Sequence, residues 1–439
     1  MQIRVGLKTG DLVGLAHEEL VISSTGGLAI SGNSNTAEHA LQLSAGARLS
    51  LTAHDSNVII TQSGGKKTNF GHEVEVRQHN QQNALNLESK PTESSPAKPA
   101  SNYRGTLFIT AKGSDLYAIL LTDLESYVQG VLQSEVPSYF NLEAMKAQAV
   151  LARTYGLRPR LSHTADHFNV CDSYLHCQAF YGIKSLNAMQ QQAIASTKGR
   201  VLTYAGKPAL AVFSACAGGH TESYEYAFSD PETDAFPSPP IPYLKGVPEG
   251  TLPKDYPAET ALRALYQEPS PQTDDAWSPR NFRWQVQLKG DAMEAHMHHV
   301  ISELQKDPQF KPFIQAPKSE QFGHIKSFEI GKRGVAGTAI SMIIHTSAGD
   351  WLVRKELTIR SVFQNPDVNL KRLKSARIFF DHTQDKLGLL ASITIRGFGS
   401  GHGVGLQQIG AQGLASRGLT YEQIIDHYYR GAAITALNA

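Results

Sequence analysis

The sequence predicts an α+β fold, with mixed, mostly antiparallel sheets and a few helices. Short apolar segments that partly alternate with polar residues recur along the chain, as in IRVGL, LVIS, RLSLTA and NVIITQ, and they are typical of strands. Residues 124–157 and about the last forty residues have the spacing of helices instead. No internal repeat with a period of about 20 to 50 residues is present, so neither a solenoid nor a propeller is predicted.

The N-terminal part of the chain is predicted in two segments. Residues 1–63 form a β-rich region of short apolar segments broken by Gly, Asn and Ser. Residues 64–101 are rich in Asn, Gln, Ser, Pro and Lys, and they end KPTESSPAKPAS. Because this stretch has too little apolar content to fold alone, we predict an exposed excursion or linker, followed by one larger region over 102–439.

The larger region begins with a hairpin-like pair, YRGTLFIT and LYAILLT, and then changes to a helical period. Four residues spaced i, i+4, i+7 and i+11 share one face of this helix: Leu124, Val128, Val131 and Glu135. Pro137 must end the helix, so the carboxyl group of Glu135 is predicted at its end, on an apolar stripe. Asn141 is suited to cap a second helix, LEAMKAQAVLARTYGL.

The remainder of the larger region combines strands, a proline-rich segment and a final helix. Residues 230–277 carry many prolines and are predicted to form a long surface excursion. Alternating strands follow Trp284, including FEIGKRG, TAISMIIHTS and WLVRKELTI. Thr420 and Gln423 form a capping box for the last helix, and Gly431 follows its end.

Charge and composition exclude some classes of partner. The chain has 41 Lys and Arg residues against 40 Asp and Glu, and only 18% of its residues are charged, so no nucleic acid partner is predicted. A neutral polymer such as a sugar chain is compatible with this balance. No run of about eighteen apolar residues exists to span a membrane, and MQIRVGLKTG lacks the apolar stretch of a signal peptide. The protein is therefore expected either in the cytosol or beyond the membrane after a leader has been removed.

One short segment, HFNVCDSYLHC, holds four potential metal ligands: His167, Cys171, His176 and Cys177. Two imidazoles and two thiolates are the ligand set of a closed tetrahedral zinc site. Four protein ligands would leave no position for an activated water, so the metal would fix the loop. A disulfide between Cys171 and Cys177 and a pair of unligated thiols are the alternatives. Cys216 has no basic partner and is expected to pack as a small apolar residue.

Three strings resemble the SpoIID/LytB family of cell-wall proteins. They are ESYVQGVLQSEVPSYFNLEAMKAQAVLARTYGL at 125–157, FSACAGGHTE at 213–222 and GHGVGLQQIGAQGLASRGLTYEQIIDHYYRG at 401–431. The family includes a sporulation enzyme that cleaves glycan strands and an amidase enhancer of autolysins. The third string has LQQIG at 406–410, where the family often has Met-Ser-Gln-Tyr-Gly. The resemblance implies an α+β fold around a long substrate groove, and a zinc ion in the Cys/His loop as in some SpoIID proteins.

The resemblance also places the family's catalytic glutamate at Glu135. A lytic transglycosylase protonates the leaving oxygen and lets the sugar's own 6-hydroxyl attack, so one carboxyl group serves as acid and then as base. An apolar helical face would favour the protonated acid. The residues expected to bind substrate are Arg153, Gly218, Gly219, His402 and Gln408. Each has a structural alternative: an ion pair for the arginine, a turn for the glycines, bonds to the backbone for the histidine and a scaffold role for the glutamine.

Two functions of different classes follow from the resemblance. The leading hypothesis is a lytic transglycosylase that cleaves MurNAc–GlcNAc bonds in denuded peptidoglycan strands and leaves anhydro-muramic ends. The second is a non-catalytic glycan-binding protein that stimulates a cell-wall amidase. Both imply peptidoglycan glycan strands as partner and a location in the cell envelope, in the periplasm or outside the cell. A zinc hydrolase that uses the Cys/His loop is a third alternative, and the set of four ligands argues against it.

Overall fold

The computed structural model describes residues 1–8, 14–33, 38–80, 84–90, 98–158, 163, 167–268 and 277–437. The chain divides into two compact units. The first unit comprises Met1–Ala211 together with the C-terminal residues from Ala433, and the second comprises Val212–Ala432. The predicted boundaries at residues 63 and 101 both fall inside the first unit.

The first unit is mainly antiparallel β-structure with three helices among its described residues. Its strands are β1 (Gln2–Leu7), β2 (Ala16–His17), β3 (Glu19–Ser24), β4 (Leu28–Asn33), β5 (Glu38–Leu43), β6 (Arg48–His54), β7 (Asn57–Thr61), β8 (Lys67–Asn69), β9 (Glu73–Gln78), β10 (Leu85–Lys90), β11 (Lys98–Tyr103), β12 (Thr106–Lys112), β13 (Asp115–Asp123), β14 (Val170–Cys171), β15 (Arg200–Tyr204), β16 (Lys207–Pro208) and β26 (Ala433–Ala436). Its helices are α1 (Leu124–Glu135), α2 (Leu142–Leu157) and α3 (Ala188–Ser196).

Two larger sheets and one small sheet organise these strands. One sheet has the order β14-β1-β13-β12-β9-β4-β5, with β2 also paired to β13, and the second has the order β11-β10-β3-β6-β7-β8. The small sheet is β16-β15-β26. Alternate residues of β12 and β13 are buried, among them Leu107, Ile109 and Leu120, as the period of a strand with one apolar face requires.

The predicted linker over 64–101 is wrong for the residues that the structure describes there. Strand β9 pairs with both β12 and β4, and β10 pairs with both β3 and β11. Val74 and Val76 are fully buried, because the alternation in EVEVRQ supplies one apolar face despite the polar composition. Most of the KPTESSP string, residues 91–97, lies outside the described residues.

Helices α1 and α2 form as the sequence predicts. Asp123 caps α1 by accepting a bond from Ser126 N–H (2.9 Å), and Val136 is already extended, as expected before a proline. Asn141 caps α2 by accepting a bond from Glu143 N–H (3.0 Å), which confirms the predicted cap. The α1 residues Val128 and Val131 are fully buried, so its apolar stripe packs inward and its last residue, Glu135, lies at the edge of the core.

The second unit contains shorter sheets and seven helices among its described residues. Its strands are β17 (Phe213–Ser214), β18 (Arg283–Lys289), β19 (Ile314–Gln315), β20 (Ile325–Arg333), β21 (Ala339–Thr346), β22 (Gly349–Arg354), β23 (Ile378–Gln384), β24 (Leu390–Phe398) and β25 (Leu406–Gln407). Its helices are α4 (Tyr224–Ala227), α5 (Glu259–Gln267), α6 (Trp277–Phe282), α7 (Gly290–Leu304), α8 (Glu356–Ser361), α9 (Gln408–Ser416) and α10 (Tyr421–Tyr428), with 3-10 turns at Lys311–Phe313 and Pro366–Val368.

An antiparallel core dominates the second unit. The sheets β18-β24-β23 and β19-β22-β21-β20 share an apolar cluster that includes Trp284, Ile344, Trp351 and Ile393. The capping box of Thr420 and Gln423 at the start of α10 is present as predicted. The segment predicted as a proline-rich surface excursion, 230–277, also contains helix α5 and the buried residues Leu244 and Val247.

The predicted fold class is confirmed: the described strand pairs are antiparallel except β1 with β14 and β17 with β25. No helix in the described part of the chain is long and apolar enough to cross a membrane.

Candidate functional site

Glu135 is the last residue of α1, and its side chain is partly buried. Its Oε1 accepts a hydrogen bond of 2.6 Å from the backbone N–H of Ala179. Val131, Leu132 and Val136, the apolar neighbours expected from the sequence, are all buried. The carboxyl group therefore has a fixed orientation at the edge of an apolar core.

The segment around Ala179, which supplies this N–H donor, is hydrogen-bonded to α1. Tyr181 N–H donates to Ser134 Oγ (3.0 Å), and Lys184 exchanges hydrogen bonds with the Gln133 side chain (both 3.0 Å). Phe180 is fully buried against Gly130, where an added Cβ would come within 2.4 Å of its ring. We call residues 178–185 the clamp segment, because it packs against the C-terminal turns of α1 and hydrogen-bonds Glu135.

Four side chains next to the clamp segment could hold a metal ion: His163, Cys171, His176 and Cys177. Their ligand atoms all lie within 4.8 Å of one another, with His163 Nε2 at 3.2 Å from Cys177 Sγ and His176 Nδ1 at 3.6 Å from Cys171 Sγ. All the cysteines are free thiols. The hydrogen bond with Cys177 and, next, burial raise the pKa of Cys171, so its thiolate form needs a positive charge among these ligands.

The predicted ligand set needs one correction, since the structure brings His163 and not His167 to this group. His163 is buried beside the Phe168 ring, at a centroid distance of 4.4 Å. His167 is exposed with a φ of 60°, and its carbonyl accepts a bond from Arg4 Nε (2.7 Å). His167 itself has left-handed backbone, and spacing along the sequence gives no sign that His163 takes its place.

The metal-ligand group and Glu135 are therefore joined by a short piece of backbone. Cys177 is two residues before Ala179, whose N–H bonds the carboxylate. Cys177 N–H also bonds Ser173 O (2.8 Å), and Phe180 N–H bonds Asp172 O (3.2 Å), so the loop closes on itself before entering the clamp segment. A change in this loop would be transmitted to the position of the acid.

Arg153 forms an ion pair, which was the structural alternative to substrate binding. Its side chain is fully buried and bonds both carboxylate oxygens of Glu125, at 2.9 and 2.7 Å, as well as Arg200 O at 2.9 Å. A bidentate pair of this kind satisfies a buried guanidinium. Arg153 thus ties α2 to α1 and β15, and in this structure it does not present a surface to a sugar.

The remaining predicted substrate-binding residues lie in the second unit. Gly218 and Gly219 have φ values of 70° and 108°, and at Gly218 an added Cβ would come within 2.8 Å of Gly399 N and of Phe398 Cβ. Close approach at Gly218 is therefore to its own chain. Gln408 begins α9 and is only 4% exposed.

His402 bonds the backbone through both ring nitrogens. Val404 N–H donates to Nδ1 (3.0 Å), so Nε2 carries the proton and donates to Phe213 O (3.0 Å). Burial lowers the pKa of His402 to about 4, and the ring is neutral at pH 7. His402 therefore bonds the backbone, which was the structural alternative to substrate binding.

Sequence reasoning missed Glu222, the last residue of the second family-like string. It is 1% exposed and lines a small cavity with Cys216, His220, Thr338, Arg377 and His402. Its carboxylate accepts bonds from the backbone N–H groups of Ser223 (2.9 Å) and Ala336 (3.1 Å). Burial raises the pKa of Glu222 to about 7. Burial also raises the pKa of Cys216 to about 12, and its 3% exposure agrees with the prediction that it packs as a small apolar residue.

Comparisons with known proteins define the class. Residues 112–204, which include Glu135 and the metal-ligand group, match the family model "Stage II sporulation protein" (SpoIID). Residues 231–405 match a second model, "Domain of unknown function (DUF8618)". This is thus a protein with a SpoIID domain. The SpoIID domain and the relatives described below confirm the resemblance seen in the sequence.

Individual relatives agree with this assignment. "Stage II sporulation protein D" of Bacillus subtilis (strain 168) is 27% identical over 381 residues, which cover 82% of this chain and 90% of that protein. The protein of the same name from Bacillus amyloliquefaciens is 27% identical over 71% of this chain and 74% of its own length. "Amidase enhancer" of Bacillus subtilis (strain 168) is also 27% identical, over 70% of this chain, and the match spans 40% of that longer protein.

Proposed function

We propose that this protein is a cell-wall lytic transglycosylase that cleaves MurNAc–GlcNAc bonds in denuded peptidoglycan strands, with Glu135 as its general acid and base. The observation that carries the proposal is the carboxyl group at the end of α1, held by Ala179 N–H at 2.6 Å and bordered by buried apolar residues. The SpoIID match spans this residue. The cell envelope is the proposed location, because the substrate lies there.

The reaction needs one carboxyl group and no water. Glu135 donates its proton to the oxygen that links MurNAc C1 to GlcNAc C4, and the bond from C1 to this oxygen breaks. The 6-hydroxyl of the same MurNAc then forms a bond to C1 and returns a proton to the Glu135 carboxylate. The products are a free 4-hydroxyl on GlcNAc and a 1,6-anhydro-muramic end, and the enzyme is restored.

We propose that zinc occupies the group formed by His163, Cys171, His176 and Cys177, since two imidazole nitrogens and two sulfurs converge there. When bound by four protein ligands, zinc has no position left for an activated water, so its contribution is to order the loop. The loop residues then hold the clamp segment and the Ala179 N–H that orients Glu135. This support of the acid argues against a separate zinc hydrolase.

The second candidate is an amidase enhancer that binds glycan without cleaving it. It is favoured by the match of 70% of this chain to a protein named for that role. The two candidates differ at Glu135, because an enhancer does not require an acid at that position.

The test is digestion of peptide-free glycan strands by the wild type and by Glu135→Gln. Anhydro-ended fragments identified by mass spectrometry are expected from the wild type, with a loss of about 10²- to 10⁴-fold in the variant. Glu143→Gln is the matched control, because Glu143 is a nearby carboxylate that pairs with Lys146 (2.6 Å) and should leave cleavage intact. Absent cleavage together with a stimulated partner amidase would establish the enhancer instead.

A further inference from the structure

Two segments meet at Glu135, and each carries an exposed tyrosine. The first is the connection from α1 to α2, residues 136–141, which contains Tyr139 at 52% exposure. The second is the Cys/His loop, which contains Tyr174 at 51% exposure and leads to Ala179. Among the Phe, Tyr and Trp side chains that the structure describes, the only other exposed ring is Tyr204. Two of these three exposed rings therefore lie on the two segments that meet at the proposed acid.

The position of Tyr139 is fixed by the residues on both sides of it. Val136 and Phe140 are buried, and Phe140 N–H closes a turn onto Pro137 O (3.1 Å). Ser138 O accepts a bond from Asn187 Nδ2 (2.9 Å) at the start of α3, and the Phe140 ring meets the Tyr139 ring at a centroid distance of 5.6 Å and an angle of 61°. A large side chain is thus held out from the surface by a rigid turn, which costs little entropy when a ligand binds.

Tyr139 is also close enough to Glu135 to contact the same ligand. Tyr139 follows Glu135 by four positions along the chain, and four steps of an extended chain span at most about 14 Å. The turn at Pro137 shortens this distance further. A polymer whose scissile bond lies at Glu135 therefore passes within reach of the Tyr139 ring.

We propose that Tyr139, supported by Tyr174, stacks on sugar rings of the glycan strand and positions them against Glu135. The chemistry favours a sugar over a charged ligand, because an aromatic face attracts the C–H groups on the flat side of a pyranose and its hydroxyl can bond a sugar oxygen. This proposal rests on glycan being the substrate and adds the contact that selects it.

Binding is measured in a Glu135→Gln background, so that cleavage cannot interfere. The probe is a soluble, peptide-free GlcNAc–MurNAc oligosaccharide, titrated calorimetrically. Adding Tyr139→Ala should weaken binding about tenfold, whereas Tyr139→Phe and Tyr139→Trp should bind nearly as well as the parent, since the ring provides the contact. In the otherwise wild-type enzyme, Tyr139→Ala should raise KM more than it lowers kcat.

Tyr204→Ala is the matched control, because Tyr204 is exposed in the same unit but lies at the other end of α2. Tyr204 belongs to the β15–β16 hairpin, which is bound to the C-terminal end of α2 by a hydrogen bond from Arg158 Nη1 to Pro208 O (3.2 Å). The sixteen residues of α2 span about 24 Å. This variant should bind the oligosaccharide as the parent does.

Unchanged binding after Tyr139→Ala, in a variant whose thermal unfolding matches the parent, would overturn the proposal. Equal losses in Tyr139→Phe and Tyr139→Ala would also overturn it, because they would assign the effect to the hydroxyl. A wild type that binds through Tyr139 but releases no anhydro ends would uphold the stacking contact and reject the transglycosylase. Tyr174→Ala should give a smaller loss of binding than Tyr139→Ala.

Discussion

The acid-bearing region of the first unit and the cavity of the second unit both contain buried or partly buried ionisable groups, but they use them differently. Glu135 is partly exposed, and the ligand atoms of two histidines and two cysteines converge beside the clamp segment that holds it. In the second unit, both nitrogens of His402 and both oxygens of Glu222 bond the protein's own backbone. The first arrangement is suited to chemistry on a ligand and the second to holding loops together.

The comparison teaches that a family-like motif does not by itself distinguish these uses. Arg153 belongs to the longest family-like string and lies in the unit that bears Glu135, yet its guanidinium is fully buried in an ion pair. The useful criterion is how completely a polar group is buried within its own chain. By this criterion Arg153 and Glu222, which are at most 1% exposed, differ from the partly exposed Glu135.

The largest expected effect on stability tests that placement of Arg153. Arg153→Met should lower the free energy of unfolding by about 3 to 5 kcal/mol, because it leaves the Glu125 carboxylate without its bidentate partner. Chemical denaturation followed by circular dichroism measures the change. Arg48→Met is the matched control: Arg48 pairs with Glu88 at 62% exposure of its side chain, and the loss there should be below about 1 kcal/mol. Similar losses in the two variants would contradict the structural role.

The next effect concerns the metal-ligand group. We expect one zinc ion per chain by elemental analysis, lost in Cys171→Ser and retained in Cys216→Ser, because Cys216 lies in the other unit. If the loop positions Ala179, losing the metal should also lower glycan cleavage about 10- to 100-fold. A disulfide between Cys171 and Cys177, found by mass spectrometry of the unreduced protein, would contradict the zinc site.

The sequence predicts helices better than it predicts side-chain surroundings, and the reasons are local. The caps at Asn141 and Thr420 and the end of α1 before Pro137 depend on neighbours within a few residues, so the sequence shows them directly. Strand β9 was missed because average composition hid the alternation of Val74 and Val76, which becomes apolar packing only when β4 and β12 flank it.

The candidate site shows the same limit. Glu135 could be placed on an apolar stripe from helical spacing, and three of the four metal ligands from their clustering. The fourth ligand, His163, lies outside the HFNVCDSYLHC string and joins the group only in the folded chain. The burial of Glu222 depends on loop 334–338, more than a hundred residues away, where Gly334 leaves the space that its carboxylate fills. Neither arrangement has a signal in the local sequence.

The smallest expected effect separates the two ionisable groups of the cavity by their pH dependence. The pKa of His402 is lowered to about 4 in the folded protein, from 6.5, so stability falls as the pH drops from 6.5 towards 4. The pKa of Glu222 is raised to about 7, from 4.5, so its contribution is fully present below pH 4.5 and is lost as the pH rises through 7. The two dependences oppose each other, and together they should leave stability nearly flat between pH 5 and 6.5.

Glu222→Gln removes the Glu222 contribution, so stability relative to the wild type should fall by about 1 kcal/mol for each pH unit as the pH drops from 7 towards 4.5. Denaturation midpoints of both proteins at several pH values give this difference, in which the other titrating groups cancel. Glu232→Gln is the matched control, because Glu232 is an exposed carboxylate in the same unit, and its curve should run parallel to that of the wild type. If the Glu222→Gln curve also ran parallel, the pKa of Glu222 would be the same in the folded and unfolded protein, and burial would not raise it.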